Sequence, residues 1–203
     1  MATTNTELEK KYQELREYAK GKVAMIVLCR SEEFVGRKIC QITKSYYSHS
    51  LILYWCEIAG EKRLCVFESQ PDGAKPKFAS DRLLKLYTDF CSVELLVAEN
   101  TLKEAFNKLL NKSELGIKYD FKQIAKIATY ELSNGKINPF KRKPLDIEDD
   151  KAICSETSWF LTHYANINCY SKKFWVRPYF LPQHFDLLAD DKEILIKHDN
   201  RLR

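Results

Sequence analysis

Two apolar runs, Leu51-Ile52-Leu53-Tyr54-Trp55-Cys56 and Leu64-Cys65-Val66-Phe67, flank the stretch Glu57-Ile58-Ala59-Gly60-Glu61-Lys62. Glycine enters left-handed backbone without a steric cost, so the chain reverses at Ala59-Gly60, and two strands joined there are antiparallel neighbours. An even loop centred on that step sets His49 opposite Gln70. Glu68, two residues back from Gln70, then shares a face with His49, because side chains alternate along a strand. An odd loop or a bulge would put the two on opposite faces.

The apolar runs carry polar islands at their ends. Ser48-His49-Ser50 opens the first, Phe67-Glu68-Ser69 closes the second, and much later Cys154-Ser155-Glu156 stands at the start of a helical pattern. Asp149 and Asp150 precede that pattern as acidic N-terminal residues, and Trp159, Phe160 and Ala165 give it mixed three and four spacing. A thiol attacks only as thiolate, which requires a nearby base, a third group to hold that base, and preferably the positive end of a helix dipole. Cys154 as nucleophile, His49 as base and Glu68 as the group orienting the imidazole meet all three needs. Glu156, two residues into the same helix, is expected to stabilise the helix start or a neighbouring basic group rather than to react.

In this order, His, then Glu, then Cys on a helix, the chain resembles the circularly permuted branch of the NlpC-type papain-like cysteine hydrolases, close to the YiiX/YebB-like group. Gly21 to Val27 resembles the family's opening strand, Tyr47-Ser48-His49-Ser50 its Ser-His strand start, and Phe67-Glu68-Ser69 its acidic strand end. Gly116-Ile117-Lys118-Tyr119-Asp120 resembles its Gly-x-x-Tyr-Asp segment, and Cys154-Ser155-Glu156 its Cys-Ser-Glu helix start. Lys22 stands where the family usually shows Asp. The resemblance implies an α+β papain-like fold in which the helix bearing Cys154 packs on an antiparallel sheet bearing His49 and Glu68. It also implies acyl transfer on an amide or isopeptide bond, with peptidoglycan-type peptides as the leading substrate class. A lipid amidase or acyltransferase of the lecithin:retinol acyltransferase type and a non-catalytic binding module on the same scaffold are the alternatives. Tyr119 and Asp120 either line the cleft, polarise an oxyanion or pack beside a helix start.

The remaining reactive residues form no second centre. Cys29, Cys40, Cys56, Cys65, Cys91 and Cys169 show no Cys-x-x-Cys spacing, and a total of seven cysteines is odd, which argues against a complete disulfide framework and for a reducing compartment. His163, His184 and His198 are scattered without metal-ligand spacing, so no metal and no cofactor are expected. Neither a Gly-rich phosphate loop nor a Ser nucleophile elbow is present.

With 203 residues and 45% hydrophobic content, the chain is expected to form one domain over residues 1–203. Its longest apolar run, Val23 to Cys29, is too short to cross a bilayer. The N-terminal stretch reads as an amphipathic helix with Leu8, Tyr12, Leu15 and Ala19 on one face and Thr6 and Glu9 in capping-box spacing. That is not a secretion signal, so a cytoplasmic location is expected. A net charge of +5 leaves peripheral contact with an acidic membrane surface open, but basic and acidic residues are interspersed and no nucleic-acid partner is expected.

Further elements follow from pattern: strand Val23 to Cys29, a helix Phe34 to Thr43, strand Val93 to Ala98, a helix Thr101 to Leu110 capped by Thr101 and Glu104, and a helix Phe121 to Leu132. Ser133 to Lys151, rich in Gly, Pro, Lys and Asp, reads as a long surface loop that helps shape a cleft. Arg177 to Pro182 is expected to fold back on the core.

Overall fold

The computed structural model describes residues 5–71, 73–114, 116–140, 151–167, 179, 181–189 and 195–198. In chain order the elements are α1 (Asn5–Tyr18), β1 (Ala24–Arg30), α2 (Phe34–Thr43), β2 (His49–Ile58), β3 (Glu61–Gln70), β4 (Gly73–Phe78), α3 (Ala79–Leu86) and β5 (Asp89–Leu95). They continue with α4 (Glu99–Glu114), β6 (Lys118–Tyr119), α5 (Phe121–Leu132), β7 (Lys151–Ala152), α6 (Cys154–Tyr164), α7 (Pro182–Ala189) and β8 (Leu195–His198). The fold is α+β. Its centre is a six-stranded sheet in the order β4-β3-β2-β1-β5-β8, with every neighbouring pair antiparallel.

Both faces of the sheet are covered, which is why β1 is buried almost without alternation. One face presents Ile26, Leu28, Ile52 and Phe67 to α4 and α6, where Leu109, Phe160 and Leu161 close the core. The other presents Met25, Val27, Leu51 and Val66 to α1 and α3, through Leu8, Leu15 and Leu83. Phe160 is 1% exposed, and burying such a ring contributes roughly 1.5–3 kcal/mol. The apolar face expected for the N-terminal helix is the face that docks.

The β2–β3 hairpin has a two-residue loop. Ile58 pairs with Glu61, and Ala59 and Gly60 both take positive φ, 53° and 80°, the twist that antiparallel strands accept in a tight turn. The even-loop condition is therefore met, and the register Ile52↔Phe67, continued three residues, sets His49 across from Gln70. Both strands extend beyond the apolar runs that announce them. β4 is one edge of the sheet; its Ala74 N–H bonds the Ile117 carbonyl at 3.2 Å, and its Lys75, Pro76 and Lys77 suit a strand that should not recruit another.

α2 and α5 occupy the spans expected of them. The fifth strand does not: it runs from Asp89 to Leu95 rather than from Val93 to Ala98, because its pairing with β1 begins at Asp89↔Arg30. α4 starts at Glu99, and the Leu102 N–H already bonds the Ala98 carbonyl at 3.0 Å, so Thr101 lies inside the helix and does not cap it. β4 and α3 were not foreseen. Tyr179 and Leu181 are buried against Ile127 and Ile153, so this part of the C-terminal segment does return to the core. Asp149, Asp150, Arg177 and Cys169 fall outside the described residues, as does most of the loop before Lys151. Among the described residues no helix is long and apolar enough to cross a membrane.

Candidate active site

His49 opens β2, and Glu68 lies near the end of β3. Alternation sets both on the α3 side of the sheet, since the intervening Ser50 faces α6 and its hydroxyl is 3.0 Å from that of Ser158. His49 Nε2–H donates to Glu68 Oε2 at 2.8 Å. Glu68 is fully buried, and its second oxygen, Oε1, accepts from Nε–H of Arg82 on α3. The Tyr87 hydroxyl donates to Oε2 at 3.3 Å, and the Tyr87 ring stacks on His49 with centroids 5.7 Å apart at 16°.

Cys154 is the first residue of α6, and α6 lies across β2 and β3. That places its thiol at the beginning of β2, in hydrogen-bond contact with His49. With Nε2 taken by Glu68, Nδ1 is the ring nitrogen left for the thiol. Backbone N–H groups of Ser50 and Ser155 also donate to the sulfur. The helix start is held by Glu156, whose carboxylate accepts the Ile153 N–H at 2.9 Å and the Gln123 side-chain N–H at 3.1 Å. A carboxylate at this position satisfies an otherwise orphaned donor and matches the positive end of the helix.

These contacts set the charges. Burial pushes the Cys154 thiol up, but the His49 charge, its hydrogen bond and the two backbone donors outweigh it and bring the pKa below the ordinary thiol value. Burial alone would lower His49, yet the Cys154 and Glu68 anions hold it up at about 10. Glu68 is pushed up by burial and brought below the usual carboxylate value by His49 and Arg82. Both shifts favour the thiolate–imidazolium form of the pair, backed by an ionised glutamate.

Beside the sulfur, an apolar pocket opens between α2 and α5. Ile39, Ile42, Ile124, Ile127 and Leu181 form its walls, and Tyr119, Ile153, Cys154 and Ser155 line its inner end. Tyr119 therefore borders the cleft. Asp120 does not: its carboxylate caps α5 by accepting the Gln123 N–H at 2.9 Å. The Gly116 to Asp120 segment thus does structural work, with Gly116 at φ 90° and β6 pairing in parallel with β7 just ahead of Cys154.

Among the other residues singled out, His184 is buried and its Nδ1 accepts the Leu181 N–H at 3.1 Å, while His163 is exposed on α6 beside Trp159. Lys22 bonds Glu94 at 2.7 Å and has a structural part. The sulfurs of Cys56 and Cys65 meet diagonally across the hairpin, a pairing that their spacing does not announce.

The sequence brings His49, Glu68 and Cys154 to one place, as the motifs require. Arg82 and Tyr87 are the residues it did not reveal. Ala79 and Leu83 at four-residue spacing were the available signal for α3, but nothing local connects Arg82 to Glu68 on another element. The sequence matches no protein-family model and no curated protein.

Proposed function

We propose that this protein is a cysteine hydrolase acting by acyl transfer, on a permuted papain-like architecture. The observation that carries the reading is the unbroken line from the lowered Cys154 thiol through His49 to the buried Glu68. The chain order, with His49 and Glu68 on an early hairpin and Cys154 opening a later helix, supports the permuted architecture.

The Cys154 thiolate attacks the substrate carbonyl carbon, and the carbonyl π pair moves to oxygen, where backbone N–H groups at the start of α6 stabilise it. As that pair returns, the carbon–nitrogen bond breaks and protonated His49 gives its proton to the departing amine. Neutral His49 then takes a proton from water, the resulting hydroxide attacks the thioester, and the carboxylic acid leaves with the thiolate restored. Glu68 keeps the imidazole oriented and balances its positive charge throughout.

A peptide or isopeptide amide is the first substrate class. The apolar lining of the pocket beside Cys154 favours a second reading, an acyl amide or ester whose aliphatic chain enters between α2 and α5. The test is release of free amine from peptidoglycan-like peptides, with a parallel panel of fatty-acyl amides and esters, for wild type and Cys154→Ala. Turnover by the wild type that is lost in a folded Cys154→Ala supports the hydrolase. Turnover that survives the substitution refutes it, and a wild type inert on both panels favours a binding module.

A further inference from the structure

We propose that Arg82 is a positioning residue of this site: it clamps Oε1 of Glu68 so that the carboxylate stays ionised and presents Oε2 to His49. The inference rests on the cysteine-hydrolase reading above.

Glu68 is fully buried. A carboxylate removed from water without a cation becomes neutral, and a neutral glutamic acid cannot balance an imidazolium. The groups facing Glu68 come from the elements around it: Cys29 on β1, His49 on β2, Lys75 opposite it on β4, and Arg82 and Tyr87 at α3 and its exit. His49 is cationic only while the pair with Cys154 exists, so it cannot be what holds Glu68 ready for that pair. Lys75 is exposed to solvent. Arg82, with its side chain 13% exposed, bears a charge that no part of the reaction removes.

The mounting of Arg82 is rigid. Ala79 and Leu83 of α3 are both at 0% exposure in the core beneath the sheet, which fixes the helix that carries the guanidinium. Tyr87 completes the seat: its hydroxyl reaches the oxygen shared with His49, and its ring lies flat against the imidazole. With Oε1 taken by Arg82, the carboxylate is held from rotating, and the oxygen aimed at His49 stays in place.

The experiment uses the full chain and the pH profile of Cys154 alkylation by iodoacetamide, mapped by peptide mass spectrometry, with circular dichroism as the check of folding. Arg82→Gln is expected to move the acid limb of the profile upward by about one pKa unit and to cut the alkylation rate on that limb about threefold, a roughly tenfold loss of thiolate offset by a roughly threefold gain in its nucleophilicity. Arg82→Lys, which keeps the charge but not the planar fork, should recover part of the loss. In a Glu68→Gln background, adding Arg82→Gln should change nothing further, because Arg82 acts through Glu68. A folded Arg82→Gln with the wild-type profile, or a further loss in the double variant, overturns the proposal. Where Arg82→Gln alone does not fold, the comparison of the double variant with Glu68→Gln decides, since the double variant leaves no buried carboxylate uncompensated. An ordinary thiol profile in the wild type would instead sink the hydrolase reading and this one with it.

Discussion

Replacing His49 by Gln should disarm Cys154 without unfolding the chain, and the size of the effect follows from the contacts at the sulfur. In the native protein the imidazolium is the largest of the influences that oppose burial of the thiolate, ahead of the N–H donors of Ser50 and Ser155. Glutamine fills part of the imidazole volume but carries no charge, so burial prevails and the thiol rises to or above its ordinary value. An ordinary thiol, with a pKa of about 8.5, is roughly 3% thiolate at pH 7, so full ionisation in the wild type gives a ceiling of about thirtyfold in reactive species. A thiolate of lower pKa is the weaker nucleophile, with a Brønsted slope of about 0.4–0.5, which returns a factor of about three per unit. Ionisation of that extent needs a fall of about two units, so the return is about ninefold and the net expectation is an alkylation rate about threefold lower in His49→Gln at pH 7, with the difference closing as pH rises beyond the thiol range. Brief, limiting iodoacetamide treatment followed by peptide mapping measures it. A folded His49→Gln whose Cys154 reacts at the wild-type rate at pH 7 would show that the imidazole does not sustain the thiolate.

Glu156→Ala leaves the Ile153 N–H and the Gln123 amide without their buried acceptor; at about 1–3 kcal/mol for each orphaned group, urea denaturation should show a loss of roughly 2–5 kcal/mol, and a loss below about 1 kcal/mol contradicts the capping role. Stability should also form a dome in pH. His49, raised from 6.5 to about 10, gives stability that is fully present below 6.5 and lost as pH rises through about 10. Cys154, lowered from 9.0, gives stability present above 9.0 and lost as pH falls through its folded value, so the two slopes oppose each other wherever their ranges overlap below 9.0. Subtracting the profile of the His49→Gln, Cys154→Ala double variant isolates this dome in thermal melts, and a flat difference refutes the ion pair; turnover should likewise fall as pH rises through about 10, where His49 no longer has a proton to give. Ala128→Trp fills the pocket between α2 and α5, and kcat/KM for long-chain acyl substrates should drop at least about tenfold, some 1.4 kcal/mol, while iodoacetamide still reaches Cys154 at a similar rate. An unchanged ratio of long-chain to short-chain substrates argues that the acyl group binds elsewhere.

The parts of this molecule legible in its sequence are those whose determinants are local. A Gly at the second turn position fixed the hairpin register, and with it the shared face of His49 and Glu68. The apolar pattern from Phe121 to Leu132 marked a helix that the structure retains. The failures have the opposite character. β5 is displaced by four residues because its limits are set by partners on β1, not by its own apolar content. α3 has no side-chain cap, its capping-type residues Ser80 and Asp81 fall inside its first turn, and only eight residues carry its pattern. Arg82 was beyond reach for a further reason: its meaning lies in a carboxylate on another element, and an isolated Arg among Asp, Lys and Leu reads as solvated surface.

The distance along the chain between Cys154 and the groups that ionise it carries a consequence for biogenesis. His49 and Ser50 are separated from Cys154 by about half the polypeptide, and neither the helix start nor the imidazole can act on the sulfur until the sheet has closed and α6 has docked across β2 and β3. Before that, the sulfur is an ordinary thiol that remains mostly protonated near neutral pH. On the proposed reading the protein is its own safeguard during synthesis: a chain emerging from the ribosome, or one that misfolds, carries no reactive thiolate against its neighbours, and nucleophilicity appears only with the completed tertiary structure.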